Sequence, residues 1–165
     1  MTALELQTAL HQGQRVYGSL ITSTSPRMTQ EIKKANMDFV FIDTEHTAVD
    51  REKLSFLCQT YSGQGLPTIV RILEPDPFLA IMVIDAGASG VLAPYIETPE
   101  QVRQLVGAVK MRPLKGNRLQ AALAGEPLDP VTKDYLKTYN KGRMLFLNIE
   151  SQYAMDRLDE LISIE

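Results

Sequence analysis

The stretch Phe39-Val-Phe-Ile-Asp-Thr-Glu-His46 decides how this 165-residue chain is read. Its first four residues are apolar without alternation, and Asp43, Glu45 and His46 follow at once. A continuous apolar run suits a parallel strand covered on both faces. Polar residues directly after such a run suit a strand end, where successive loops of a parallel α/β fold converge. Met144-Leu-Phe-Leu147, followed by Asn148-Ile-Glu150, repeats the pattern near the other end. Working outward, strand-like runs fall at 16–21, 38–42, 67–72, 90–94 and 143–149. Helix-like stretches lie between them at 27–34, 51–61, 77–86, 99–109 and 130–139. Ser25-Pro26, Asp76-Pro77 and Thr98-Pro99-Glu100 each place a capping side chain before a first-turn proline. Alternation of this kind leaves a (β/α)8 TIM-type barrel or an open doubly wound sheet. No G-x-G-x-x-G follows the first strand, which removes the usual support for a dinucleotide-binding sheet. Segment 111–130, with Gly, Pro and basic residues, reads as a long loop around a very short strand near Asn117-Arg118.

Composition narrows the function classes. The length is that of one domain, 1–165, with 44% hydrophobic and 22% charged residues. Acids exceed bases by three and the basic residues are scattered, so neither nucleic acid nor an anionic membrane surface is an expected partner. No apolar run approaches the roughly 20 residues that span a bilayer. Residues 1–13 read as an amphipathic helix rather than a signal peptide, which makes a cytoplasmic location the expectation. Cys58 is the single cysteine, so an internal disulfide is impossible, and its apolar setting marks it as a small buried hydrophobe.

The strand ends supply the chemistry. The second run ends at Asp43, Glu45 and His46, the third at Arg71, and the last at Asn148 and Glu150. Charges placed directly after buried strands are costly unless paired or functional. His46 could cap the next helix or bond within its loop. At a strand end three residues from Asp43, it reads better as a general base whose imidazole that carboxylate orients. Arg71 could pair with a rim carboxylate, or form the fork for a substrate carboxylate or a developing enolate. Glu45 reads most simply as a loop salt-bridge or capping residue, and His11 as an exposed helix residue. Glu150 alone does not make a metal site.

The segment Phe39–His46 resembles the I-D-x-E-H signature of the HpcH/HpaI aldolase/citrate lyase family, whose members include class II pyruvate-dependent aldolases. Val16-Tyr-Gly18, Pro67-Thr-Ile-Val-Arg71, Asp85-Ala-Gly-Ala-Ser-Gly-Val-Leu-Ala-Pro94, Lys115-Gly-Asn-Arg118 and Phe146-Leu-Asn-Ile-Glu-Ser151 follow in the family's order. The resemblance covers nearly the whole chain. It implies a barrel and a divalent cation, Mg²⁺ or Mn²⁺, with a pyruvate-like 2-oxo acid and an aldehyde as substrates. It also implies homo-oligomeric assembly. By the same resemblance His46 is the base with Asp43 as partner, Arg71 steadies the pyruvyl oxygens, and Glu150 is one of two metal carboxylates. Asn148, where many relatives carry Gln, would contact substrate or water. Leu119-Gln120 departs from the glycine that relatives commonly have after the arginine.

A complete barrel takes about 250 residues. About six of eight strands are therefore expected here, and by the same resemblance the second metal carboxylate would come from a strand not among them. Three readings follow from this: a fragment of a longer protein, a chain completed by partners, or a non-catalytic remnant. A citrate-forming or citryl-cleaving condensation is the alternative on the same scaffold, differing in whether the acceptor is an aldehyde or an acyl thioester.

Overall fold

The computed structural model describes residues 1–164. Five parallel strands form one sheet: β1 (Gly18–Ile21), β2 (Phe39–Asp43), β3 (Thr68–Arg71), β4 (Gly90–Ala93) and β5 (Met144–Leu147). Their spatial order is their chain order. A doubly wound sheet reverses order at a switch point; this one does not, as a barrel requires.

Alternation along each strand divides the core in two. Val40 and Ile42 of β2, Val70 of β3, and Val91 and Ala93 of β4 are buried under the helices. The helices are α2 (Pro26–Lys34), α3 (Arg51–Gly63), α4 (Pro77–Asp85) and α5 (Pro99–Lys110). Phe39, Phe41, Ile69, Leu92, Met144 and Phe146 have the opposite parity and form a second cluster on the other face. The N-terminal helix α1 (Ala3–His11) adds Leu6 and Leu10 to it. Gly18 pairs with Phe39, and a Cβ at Gly18 would come within 2.2 Å of that ring, so glycine makes room for the aromatic. Leu20 is half exposed on the edge strand β1.

Two of the three expected caps form their side-chain bonds. Asp76 accepts the backbone N–H groups of Phe78 and Leu79 at 2.6 and 3.0 Å. Thr98 forms a capping box, with Gln101 as its partner. Ser25 stands at the N-cap of α2 without a side-chain bond. Cys58 is fully buried, as expected of a small hydrophobe, and burial pushes its thiol up to about 11.

Segment 111–130 departs from the expected loop and short strand. Asn117 and Arg118 lie in a helix, α6 (Gly116–Leu123), so the described residues hold five strands, not six. Leu119 and Leu123 lie one turn apart on α6 and pack over Gly107 of α5, where a Cβ would meet both within about 3.2 Å. Arg118 reaches Asp129 and Thr132 at the start of α7 (Pro130–Tyr139). Two short helices, α8 (Gln152–Met155) and α9 (Leu158–Ile162), follow β5. Among the described residues, no helix is long and apolar enough to cross a membrane.

Candidate active site

Strand register builds the site. Asp43 is paired directly with Arg71 across β2 and β3, and Arg71 with Leu92 of β4. Both charged side chains have the parity of Phe41 and Ile69, so they stand on the face away from the helices. Arg71 sits above the Phe41 ring, 5.9 Å from its centroid. Asp43 and Arg71 form a two-pronged pair, with Nε to Oδ1 at 2.9 Å and Nη2 to Oδ2 at 2.6 Å. Asp43 Oδ1 also accepts the backbone N–H groups of Glu45 and His46 at 3.0 and 3.4 Å. Thr44 donates its hydroxyl to the Arg71 carbonyl at 2.6 Å. The loop after β2 is thus pinned to the end of β3.

Glu45 is the centre of a second set of contacts. Its side chain is only 8% exposed. Oε2 is buried without a hydrogen bond and faces Arg71 Nη1 at 3.2 Å. Oε1 accepts the Tyr95 phenol and lies 3.4 Å from His46 Nε2. The His46 imidazole therefore faces Glu45, while Asp43 holds the His46 backbone. Both Asp43 oxygens are occupied by Arg71 and by loop N–H groups, which leaves the imidazole to the neighbouring carboxylate. The reading of Glu45 as a salt-bridge residue holds, with Arg71 as its partner.

The remaining candidates arrive from β5. Asn148 donates its backbone N–H to Ala93 at 2.9 Å, and its amide makes no hydrogen bond among the described residues. Glu150 is exposed, and its Oε2 accepts the Tyr95 backbone N–H at 2.9 Å. His46, Asp43, Arg71 and Glu150 are thus linked at one end of the sheet, through Glu45, expected only as a salt-bridge or capping residue, and Tyr95, which the sequence reading did not place there. His11 is exposed on α1, as expected.

Electrostatics follow the same geometry. The Arg71 hydrogen bonds hold the Asp43 carboxyl below its ordinary value, with help from the two loop N–H groups. Arg71 is raised by Asp43 first, then by Glu45 and Glu150. The Tyr95 phenol is raised by its bond to Glu45. A folded-state value below the unfolded one stabilises above the unfolded value, about 3.9 for Asp. That increment is lost as pH falls through the depressed value. Acid unfolding of Asp43→Asn, followed by circular dichroism, is expected to show a shallower acid limb than the parent.

Three carboxylates thus act on one guanidinium, an excess of negative charge that suits a cation. Among the described residues, however, no three His, Cys, Asp or Glu side chains lie close enough to share one ion. Glu150 fits as a single hard oxygen ligand. Mg²⁺-like ions are often held by one or two carboxylates together with water and substrate.

The sequence model of HpcH/HpaI aldolase/citrate lyase matches residues 17–165. The chain belongs to this family. A hydroxypyruvate/pyruvate aldolase of Roseovarius nubinhibens is 30% identical over 161 residues, covering 96% of this chain and 62% of that protein. A 2-keto-3-deoxy-L-rhamnonate aldolase of Escherichia coli K12 is 28% identical over 156 residues, covering 94% and 58%. Among solved structures, citrate synthase SbnG aligns at a TM-score of 0.77 and 28% identity, over 98% of this chain and 62% of that one. An HpcH/HpaI aldolase from Desulfitobacterium hafniense DCB-2 aligns at the same TM-score and 20% identity, over 97% and 62%, a likeness of fold. The chain spans less than two thirds of the length of each. Its sheet is part of the TIM-type barrel of the HpcH/HpaI aldolases.

Proposed function

We propose that this chain carries the enolising half of a metal-dependent aldolase or lyase that makes or breaks a C–C bond of a 2-oxo acid. The observation that supports this most directly is Arg71, clamped between Asp43 and Glu45 at the strand ends, with His46 and Glu150 on the adjoining loops. Guanidinium has five N–H donors. Asp43 engages two of them, and Glu45 faces a third nitrogen, so donors remain for the oxygens of a pyruvate-like substrate. A fixed cation there stabilises the charge that develops on the substrate oxygen as the methyl proton leaves. His46, with two thirds of its side chain exposed, is reachable by substrate and accepts that proton. The Asn148 amide, which makes no hydrogen bond among the described residues, would contact substrate or ordered water. Glu150 would be one carboxylate on a Mg²⁺ or Mn²⁺ ion. When bound, that ion would polarise the substrate carbonyl as a Lewis acid.

The aldehyde acceptor, homo-oligomeric assembly and a cytoplasmic setting belong to this same reading. The likeness to citrate synthase SbnG favours one alternative, a citrate-forming condensation in which an acyl thioester, rather than an aldehyde, would be the second substrate. Comparing turnover with an aldehyde and with a thioester separates the two.

Ligand-linked stability tests the reading. At about 100 times the dissociation constant a ligand stabilises the folded state by about 2.7 kcal/mol. Mn²⁺ with pyruvate is therefore expected to raise the melting temperature by about 5–10 °C. Glu150→Gln, whose exposed side chain should leave the unliganded melt unchanged, is expected to lose most of that shift. An equal shift in both would remove Glu150 from the metal site. No shift in the parent would favour a non-catalytic chain.

A further inference from the structure

We propose that Tyr95 is a positioning residue of this site, setting the His46 imidazole through the carboxylate that both share; the proposal rests on the enolising reading above. Tyr95 follows β4 and was marked by no sequence motif. Its backbone is left-handed, with φ of 54°. Bulky residues rarely adopt that conformation, and it persists where the surroundings enforce it. No burial explains it, since Tyr95 is 52% exposed.

What the strained turn achieves is visible in its contacts. The backbone N–H of Tyr95 reaches Glu150 on the loop after β5. Its phenol reaches Glu45 on the loop after β2. One residue thereby ties together two loops that approach the site from opposite sides of β3 and β4. The oxygen that takes the phenol is Glu45 Oε1, the same atom that faces His46 Nε2 at 3.4 Å, while Oε2 faces Arg71. Tyr95 fixes the rotamer of Glu45 and with it the acceptor that the imidazole meets. Without the phenol, Glu45 is free to turn wholly toward Arg71 and leave His46 unheld.

The test uses the full chain, ¹⁵N-labelled at histidine. It contains two histidines, and His11 on α1 serves as an internal control. At fixed pH, Tyr95→Phe is expected to move the His46 Nε2 resonance and leave His11 in place. Glu45→Gln is expected to move it too, and adding Tyr95→Phe to Glu45→Gln should add little, because coupled residues are not additive. In metal-dependent pyruvate exchange, Tyr95→Phe is expected to lower kcat about tenfold to a hundredfold at unchanged KM. Tyr95→Gly keeps the N–H and relieves the backbone. It is expected to melt no lower than the parent, yet to lose exchange as fully as Tyr95→Phe. A His46 resonance unmoved in Tyr95→Phe would overturn the proposal, as would independent, additive effects of the two substitutions. If the unsubstituted chain exchanges nothing, the enolising reading fails, and the histidine resonances still decide the role of Tyr95.

Discussion

Replacing Arg71 with methionine is expected to lower the melting temperature by about 6–12 °C. The guanidinium is 17% exposed, and the Asp43 and Glu45 side chains beside it are each 8% exposed. Removing it leaves two nearly buried carboxylates without the cation that both contact. Breaking a buried pair costs about 3 kcal/mol at the lower end of the usual range, and in a domain of this size each kcal/mol is worth about 2–4 °C. The pair's own net contribution is smaller, since most of that cost comes from the stranded charges. The triple variant Arg71→Met, Asp43→Asn, Glu45→Gln should therefore recover much of the lost stability. Arg71→Lys should fall between, because an ammonium supplies charge but cannot span both Asp43 oxygens. Thermal melts by circular dichroism give all of these values. A melt of Arg71→Met matching the parent would mean that the cluster is solvated rather than closed.

The same cluster shows what could be read from the sequence. Apolar runs ending in charge located Asp43, Arg71 and Glu150 at one end of the sheet, because parallel strands all point their carboxyl ends the same way. His46 was marked there too as a candidate base, a role the family signature also implies. The partners within the cluster were hidden, because they depend on register. Asp43 meets Arg71 only because β2 and β3 pair with those two residues opposite each other, and nothing local in either strand states that. Parity offered a hint: Asp43 shares the face of Phe39 and Phe41, and Arg71 that of Ile69. Once Arg71 takes Asp43, the imidazole is left to Glu45, an outcome that spacing along the chain did not foretell.

Tyr95 was invisible for another reason. Its contribution lies in a backbone conformation, and a tyrosine after a proline does not announce a positive φ. Helix α6 was missed because Gly116 and the prolines around it outweighed the weak signal of Leu119 and Leu123 one turn apart. That pair becomes decisive only when Gly107 of the neighbouring helix receives it. Helix α7, with a proline at its start and an amphipathic run, was found with the bounds it has.

In the proposed reading His46, on the loop after β2, and Arg71, at the end of β3, enolise the substrate together, and the second large effect concerns His46. His46→Ala removes an exposed side chain whose contact is one carboxylate oxygen, so the fold should be unaffected. A positioned base typically contributes about 10²–10⁴-fold, so proton abstraction should fall by at least about a hundredfold. The most direct measurement is the loss of the pyruvate methyl signal in D₂O by NMR, with Mg²⁺ or Mn²⁺, for the parent chain and for His46→Ala. No aldehyde is needed, so the result does not depend on the acceptor. Metal-dependent exchange in the parent that disappears in His46→Ala is the result expected for an enolising site at these strand ends. A folded parent that exchanges no protons, or a His46→Ala variant that exchanges them as fast, would contradict it.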